Sequence, residues 1–311
     1  MPHYRKERET LVNKTFTYLL LLLVMFIWGL NVVAVKFLVE HMEPVQMQGM
    51  RIGVAGIAAM AAVLLLKETS RLSRREWKII VFAALFGQVG HHAFLAVGLT
   101  ETTAANGSLI LGLIPLTTAL LAVIFLGDPL TRWRFTGIIF GFLGIVFIIL
   151  NPEEGVSSAS RGDLFVFLSM LFQAVSFILI KQASVTVSPR WLTALMLLIG
   201  SVSLLIISFY IEPGFGGFAG YSVLILSVFF GSAILATGMG HLLFNAAIQK
   251  IGPGQSALFN NFVPFFALLG SYFLLGETIY SSQIIGFFFI VSGVLLGTGY
   301  VEQMILKKKY S

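Results

Sequence analysis

A duplicated segment with reversed loop charge is the sequence feature that most constrains the fold of this chain. The motif LGDPLTRWRFTG begins at Leu126, and the related motif LGETIYSSQIIG begins at Leu275. The same spacing aligns Pro115 with Pro264, and it aligns two arginines of the first copy with uncharged residues of the second. Lys and Arg in short loops set the orientation of membrane segments. One copy is therefore predicted to lie upside down relative to the other.

Long apolar runs predict an all-α integral membrane protein. The chain is 57% hydrophobic and 11% charged, whereas soluble domains carry about 25% charged residues. Runs of about 20 apolar residues fit membrane-spanning helices and are too long for the strands of a barrel. The first run lacks a small-residue cleavage site, so it is interpreted as an uncleaved helix. The ten predicted spans cover roughly residues 16–36, 45–66, 77–99, 103–126, 133–151, 162–182, 190–212, 221–249, 254–276 and 281–301.

Charge placement predicts the topology of these spans. Ten spans put most of the 20 Lys and Arg residues on one side, which the positive-inside rule identifies as cytoplasmic. Both termini are then cytoplasmic, and an odd number of helices in each half gives two inverted five-helix repeats. We expect a bacterial plasma (inner) membrane and, because the basic residues lie in loops and tails, no nucleic-acid partner. The predicted segments are a cytoplasmic tail at 1–15, a first repeat at 16–151, an extracytoplasmic linker at 152–161, a second repeat at 162–301 and a basic cytoplasmic tail at 302–311.

Several motifs make the chain resemble a known transporter family. The sequence WGLN begins at Trp28, Arg51 lies in the second span, and LGD and LGE are each followed by Gly ten and seventeen residues after the motif glycine. Over about 15–301, the chain resembles a ten-helix EamA-type transporter of the drug/metabolite transporter superfamily. It departs from the family pattern at Gln173, where Trp is common. The resemblance implies a transporter, most often an exporter of amino acids, nucleobases, sugars or related metabolites.

Two histidines related by the repeat are the strongest candidates for a substrate site. His92 and His241 have the same spacing as the two motifs and lie in the third and eighth spans. In an inverted repeat such a pair faces the internal axis near the membrane midplane, where substrate sites form, and imidazole titrates near physiological pH. Gln88 and Asn245 lie four residues from them and extend polar stripes toward a water-accessible cavity. The alternative is a pair of helix-packing hydrogen bonds, and His91 is expected to point elsewhere.

Proline breaks in the fourth and ninth spans mark a second group of candidates. Pro115 and Pro264 occupy matching positions, and a proline frees a carbonyl in the preceding turn. Asn106 precedes Pro115, and Asn260 and Asn261 precede Pro264, so these amides could bind the freed backbone or a ligand. Paired helix breaks point to a binding site in transporters. The alternative is two kinks that only improve helix packing.

Four further residues occupy equivalent positions in the first and sixth spans. Trp28 and Asn31 share one helix face, as do Gln173 and Ser176, because each pair is three residues apart. An indole over a cavity can stack on a planar or cationic ligand. All four are predicted to bind substrate, and the alternative for Trp28 is lipid contact or helix packing.

Arg51 is predicted to have a structural or gating role. It lies seven residues after Pro44, about 10 Å into its helix at about 1.5 Å per residue. Its side chain could snorkel to the outer interface or bind a substrate carboxylate. No Asp or Glu falls in the middle of a predicted span, so proton coupling through a buried carboxylate is not expected.

Missing motifs and a glycine stripe complete the expectations. The sequence has no Cys, no Walker A motif and no HExxH motif, so we expect no enzyme, no metal site and no cofactor. Gly137, Gly141 and Gly144 allow close helix contact. That spacing fits a contact between the fifth and tenth helices of one chain and fits a homodimer equally well.

The expected function is secondary transport of a small-molecule substrate across the lipid bilayer. Small neutral or zwitterionic metabolites such as amino acids would be exported by alternating access through a central cavity. One alternative is a sugar-phosphate or nucleotide-sugar exchanger, which needs several cations in its cavity. The other is a lipid-handling membrane subunit, which would have a groove open sideways to lipid.

Overall fold

The regular structure of the described residues is entirely helical. The computed structural model describes residues 2–149, 160–212, 217–241, 243–244, 247, 259–302 and 304, with side chains described at 15–148 and from 160 onward. These residues contain no β-strand, and α1 begins inside the segment predicted to be a tail. The principal helical segments are α1 Pro2–Val39, α2 Pro44–Leu65, α3 Arg74–Glu101, α4 Ala104–Leu126, α5 Arg132–Ile149, α6 Arg161–Ala183, α7 Pro189–Ile211, α8 Val223–Met239, α9 Phe262–Leu275 and α10 Ser281–Gly297.

Six of these helices are long and apolar enough to cross a membrane, judged by length and composition. They are α2, α3, α4, α6, α7 and the Thr15–Val39 part of α1. Within the described residues α8, α9 and α10 are shorter apolar helices, and α5 has 18 residues. Helices satisfy their backbone hydrogen bonds internally, as lipid requires. Spanning by all ten helices, inversion of the two halves and cytoplasmic termini stay predictions.

The LGD and LGE motifs are the ends of α4 and α9. Gly127 and Gly276 have φ angles of 72° and 68°, in the left-handed region that glycine adopts without a Cβ penalty. Each glycine stops its helix, and an acidic residue follows it. The carboxylate of Glu277 accepts hydrogen bonds from the backbone N–H groups of Ala104 and Ala105 at 2.8 and 3.0 Å. The second motif therefore ends α9 and at the same time caps the N terminus of α4.

Glycines bring α5 and α10 into direct backbone contact. A Cβ atom on Gly137 would lie 2.3 Å from the backbone nitrogen of Gly297 and 2.6 Å from the carbonyl oxygen of Gly293. A Cβ atom on Gly144 would lie 2.6 Å from Cγ1 of Ile290 and 2.9 Å from the carbonyl oxygen of Gly286. The glycine stripe predicted from the sequence is thus used between two helices of one chain. A homodimer stays a prediction, without this stripe as its support.

Four helices depart from regular α-helical geometry over part of their length. π-helical stretches occupy Leu85–Gly90 in α3, Ser232–Met239 in α8 and Ser271–Leu275 in α9. The α-helical part of α4 ends at Leu111 and resumes at Ile114, with Pro115 in the first turn of the resumed helix. A π-helical turn shifts backbone carbonyls out of the regular ladder and is frequent at functional sites. The irregular turns of α3, α4 and α8 border the interior cavity described next.

Candidate functional site

A cavity of about 280 Å³ lies between the helices in the interior of the molecule. Its apolar lining includes Val32, Leu95 and Phe177, and polar groups enter it from α1, α2, α3, α4, α6, α7 and the ends of α8 and α9. The lining residues that carry a polar group are Trp28, Asn31, Arg51, Gln88, His91, His92, Ser108, Gln173, Thr193, Thr237, His241 and Asn260. Pro115 and Pro264 also lie on its wall. The cavity therefore combines an apolar surface with a few polar side chains, as small-molecule sites do.

Most of the residues predicted from the sequence meet at this cavity. Ten of the predicted residues line it: Trp28, Asn31, Arg51, Gln88, His92, Pro115, Gln173, His241, Asn260 and Pro264. Three predicted residues are not part of its wall: Asn106, Ser176 and Asn261. Asn245 lies outside the described residues.

Two of the residues away from the cavity bind neighbouring helices instead. The carboxamide oxygen of Asn106 accepts a hydrogen bond from Nε2 of Gln283 in α10 at 2.7 Å. The hydroxyl of Ser176 donates to the carbonyl of Ala83 at 2.9 Å, and it lies 2.2 Å from the position that a Cβ atom on Gly87 would take. Helical spacing predicted the helix face on which each residue lies. It did not predict which neighbouring helix covers that face. Both side chains hold helices together rather than facing the cavity.

The two histidines of the repeat are held by different partners. His92 lies beside Arg51, with its Nδ1 atom 3.4 Å from Nη2 of the guanidinium. His241 donates from Nδ1 to the carbonyl of Thr237 at 2.8 Å, and its ring centroid lies 5.2 Å from that of Trp28. The carbonyl can only accept, so the proton of neutral His241 is on Nδ1. The two histidines therefore present different environments to one cavity.

His91 also lines the cavity, although its position on the helix predicted another direction. Its ring centroid lies 4.6 Å from that of His92. Its Nδ1 atom is 2.8 Å from the hydroxyl of Ser169 in α6, and that hydroxyl donates to the His91 carbonyl. The π-helical stretch just before it alters the angular spacing that a regular helix would give. His91 therefore joins α3 to α6 at the edge of the cavity.

Arg51 points inward, so of the two alternatives for its side chain, snorkelling to the membrane interface is wrong. Its side chain is 1% exposed. Nε and Nη2 both donate to Oε1 of Gln48, at 3.0 and 2.6 Å. Nη1 donates to the hydroxyls of Ser232 and Thr237, each at 3.1 Å. Polar partners in α2 and α8 hold the guanidinium in the interior, where the sequence of α2 alone shows no reason for it to turn.

Thr237 is a lining residue that the sequence reasoning missed. It lies in the π-helical stretch of α8 and bonds to Arg51. A lone threonine in an apolar helix is a weak signal. However, Thr237 stands at the repeat position equivalent to Gln88, so the repeat spacing could have identified it.

Comparisons with known proteins agree with the membrane architecture. Residues 15–150 and 160–298 match the family described as the EamA-like transporter family. The uncharacterized transporter YyaM of Bacillus subtilis is 30% identical over 293 residues, which cover 92% of this chain and 94% of that protein. An uncharacterized transporter of Archaeoglobus fulgidus is 26% identical over 282 residues, which cover 90% and 97%. A chloroplastic WAT1-related protein of Arabidopsis thaliana is 26% identical over 272 residues, which cover 84% and 64%.

One solved crystal structure has the same fold. It superimposes with a TM-score of 0.65 at 17% sequence identity, covering 93% of this chain and 99% of the other. At that identity the likeness concerns the fold alone. The sequence matches extend over both halves of the chain and, together with the apolar helices, identify a multi-pass integral membrane protein. The chain belongs to the EamA-like transporter family.

Proposed function

We propose that the protein exports small neutral or zwitterionic metabolites, such as amino acids, by alternating access through the central cavity. The observation that carries the proposal is the cavity itself, which receives polar side chains from both halves of the chain. Asn31 and His92 come from the first half, and Gln173 and His241 come from the second. A transport function is also what the names of the relatives state.

The proposed architecture is two inverted five-helix halves with both termini in the cytoplasm of a bacterium. Contacts join the two halves helix to helix, since α2 lies along α7, α5 along α10, and α1 along α9. In alternating access such halves rock about a central site. Pro115 and Pro264 line the cavity in α4 and α9, and we assign to them the bending of these helices during that motion.

Size and charge of the cavity favour a small metabolite over a sugar phosphate or nucleotide sugar. Its volume of about 280 Å³ lies just below the range of about 300–1,000 Å³ that drug-sized ligands occupy. Phosphate recognition generally uses several cationic groups. Among the described lining residues, Arg51 is the single Lys or Arg side chain. A phosphate-bearing substrate therefore has less support from the cavity than an amino-acid-sized one.

Counterflow in proteoliposomes with a panel of metabolites tests this function. The purified protein is reconstituted, preloaded with one unlabelled compound at a time, and assayed for uptake of its labelled form across a range of pH. We expect accumulation for at least one amino-acid-sized compound and none in protein-free liposomes. No accumulation for any compound in the panel would contradict the proposal.

Histidine variants then locate transport at the cavity. We expect His92→Ala and His241→Ala to lower counterflow or change its pH dependence, because both rings lie at the cavity. His41→Ala is the matched control, since His41 is exposed at the end of α1 and bonds to the carbonyl of Phe37. Unchanged rates and pH dependence in both cavity variants would remove these two histidines from the mechanism.

A further inference from the structure

We propose that Arg51 binds the carboxylate of the transported molecule. We further propose that this molecule is a small carboxylate with a hydrogen-bond donor next to it, such as a 2-amino or 2-hydroxy acid. The inference rests on the proposed transport function and names the substrate class of the same cavity. Its central observation is a buried guanidinium that lines the cavity without an acidic partner.

The charge of Arg51 is balanced by dipoles alone within the described residues. Its hydrogen-bond partners are the neutral side chains of Gln48, Ser232 and Thr237, with His92 at a longer distance. The ion pairs of the described residues join other groups at the helix ends, such as Lys36 with Glu40. A buried charge is costly unless it is paired as well as hydrogen-bonded. A ligand carboxylate would supply the missing negative charge.

The geometry leaves part of the guanidinium available to a ligand. Gln48 holds Nε and Nη2 through its carboxamide oxygen, with the shorter contact at 2.6 Å, and it is not a lining residue. The contacts to Thr237 and His92 are longer, at 3.1 and 3.4 Å, and both of these residues line the cavity. An arginine fork binds a carboxylate through two parallel N–H bonds. A carboxylate entering from the cavity would replace the longer contacts while Gln48 keeps the fork oriented.

Two amide oxygens on the cavity wall require a hydrogen-bond donor. Oε1 of Gln88 and Oδ1 of Asn260 are buried and have no hydrogen-bond partner within the described residues, and both residues line the cavity. Gln88 lies one helical turn before His92, which contacts Arg51. Buried acceptors in native proteins almost always find a donor. An ammonium or hydroxyl group next to the carboxylate of the ligand meets this need, and a plain carboxylate does not.

Matched acids and amides test the carboxylate, with thermal unfolding of the purified full-length protein in detergent as the binding measurement. The probes are L-alanine with L-alaninamide, L-phenylalanine with L-phenylalaninamide, and L-lactate with lactamide. Propionate and 3-phenylpropionate keep the carboxylate and lack the neighbouring donor. We expect the 2-amino or 2-hydroxy acids of at least one size to raise the unfolding temperature, their amides to have no effect, and the plain carboxylates to have a smaller one.

Two substitutions test the role of Arg51. Arg51→Lys keeps the charge but loses the fork, and Arg51→Gln keeps hydrogen-bonding capacity but loses the charge. For the acid that stabilises the wild type, we expect the apparent affinity to be weaker by about tenfold or more in both variants. Arg134→Gln is the control, because Arg134 lies in α5 beside Asp128 and Glu302 and does not line the cavity. An Arg51 variant that binds the acid as tightly as the wild type would overturn the proposal.

The wild-type acid and amide comparison decides the question even if the Arg51 variants do not fold. Equal stabilisation by acids and amides, or stabilisation by neither, would overturn the carboxylate site. Equal stabilisation by plain carboxylates would overturn the requirement for a neighbouring donor. Counterflow with the same probes separates the two levels of inference. Acids that bind but are not transported would contradict the transport function alone, and transport without preference for the acids would contradict the role of Arg51 alone.

Discussion

Trp28 in α1 donates its indole N–H to the backbone carbonyl of Ala236, which lies 2.9 Å away in the π-helical stretch of α8. A π-helical stretch displaces carbonyls from the regular helical ladder, and the indole satisfies one of them. The Trp28 ring also lies about 5 Å from the rings of His241 and Phe244, with centroid distances of 5.2 and 5.1 Å. Trp28 therefore joins the two halves of the chain beside the cavity and does not simply face lipid.

Replacing Trp28 by Phe should separate the hydrogen bond from the ring. Trp28→Phe keeps an aromatic ring but removes the N–H group, so the Ala236 carbonyl loses its side-chain donor. We expect the free energy of unfolding to fall by about 1 kcal/mol, measured by chemical denaturation in detergent micelles. Trp133→Phe is the control, because the Trp133 side chain in α5 is 46% exposed. Equal losses in the two variants would show that the bond to Ala236 adds no stability.

Gly137 should not tolerate a methyl group. A Cβ at this position would lie 2.3 Å from the backbone nitrogen of Gly297, and no side-chain rotation can relieve a clash with backbone. We expect Gly137→Ala to cost about 1–3 kcal/mol of stability, as overpacking typically does. The readout is the unfolding temperature of the purified protein.

Gly231→Ala is the matched control for this change. Gly231 is also helical, but a Cβ there would have no heavy atom within 4 Å. Because alanine favours the helix over glycine by roughly 0.5–1 kcal/mol, this variant should be as stable as the wild type or slightly more stable. A Gly137 variant that behaves like the Gly231 variant would mean that α5 and α10 do not approach as closely as described.

Glu277 should stabilise the start of α4. Its carboxylate accepts the N–H groups of both Ala104 and Ala105, which otherwise lack partners in the first helical turn. Glu277→Ala should therefore cost about 0.5–2 kcal/mol, as the loss of a helix cap does. Glu277→Gln keeps one accepting oxygen and should cost less. Both are measured by chemical denaturation.

An acidic residue in an ion pair at the end of α1 provides the comparison for Glu277. The side chain of Glu40 is 47% exposed and pairs with Lys36 one turn away at 3.0 Å. Ion pairs of this spacing on helices contribute about 0.3–0.5 kcal/mol, and Lys36 keeps its hydrogen bond to the Leu99 carbonyl, so Glu40→Ala should have a small effect. If Glu40→Ala and Glu277→Ala were equally destabilising, the helix cap would not be the reason for the loss at Glu277.

The sequence predicted the cavity better than it predicted the partners of each residue. The repeat spacing singled out His92 with His241 and Pro115 with Pro264, and all four line one cavity. Spacing works here because the equivalent residues of the two copies come together at the cavity. The inward direction of Arg51 was not predictable, since its partners Ser232 and Thr237 lie more than 180 residues away. Such partners depend on how α2 meets α8, which no local pattern specifies.

The irregular turns show a second limit of local patterns. The π-helical stretches before His91 and His241 change which side chains face the cavity. Neither stretch contains a proline from which the irregularity could be predicted. Ser176 illustrates the same limit in helix packing, since its face was predicted but its hydrogen-bond partner, the carbonyl of Ala83, was not. Predictions based on an ideal helical period therefore fail where a neighbouring helix approaches closely or the period changes.

Asn106 should contribute to helix packing and not to substrate selection. Its carboxamide oxygen accepts from Nε2 of Gln283 at 2.7 Å, so it connects α4 to α10 away from the cavity wall. A double-mutant cycle with Asn106→Ala and Gln283→Ala should give a coupling free energy of about 0.6 kcal/mol, which is typical of hydrogen bonds between membrane helices. The cycle is needed because Gln283 also accepts from the Tyr280 backbone, a loss common to both backgrounds.

Transport measurements with the same variants distinguish the two roles of Asn106. If its side chain only joins α4 to α10, Asn106→Ala should leave the relative counterflow rates of different substrates unchanged, even where the total rate falls with stability. Asn31→Ala is the comparison, because Asn31 lines the cavity and accepts a hydrogen bond from Ser232. We expect that variant to change the order of preference among substrates. A changed preference in Asn106→Ala, together with negligible coupling to Gln283, would return Asn106 to the substrate site that its position before Pro115 predicts.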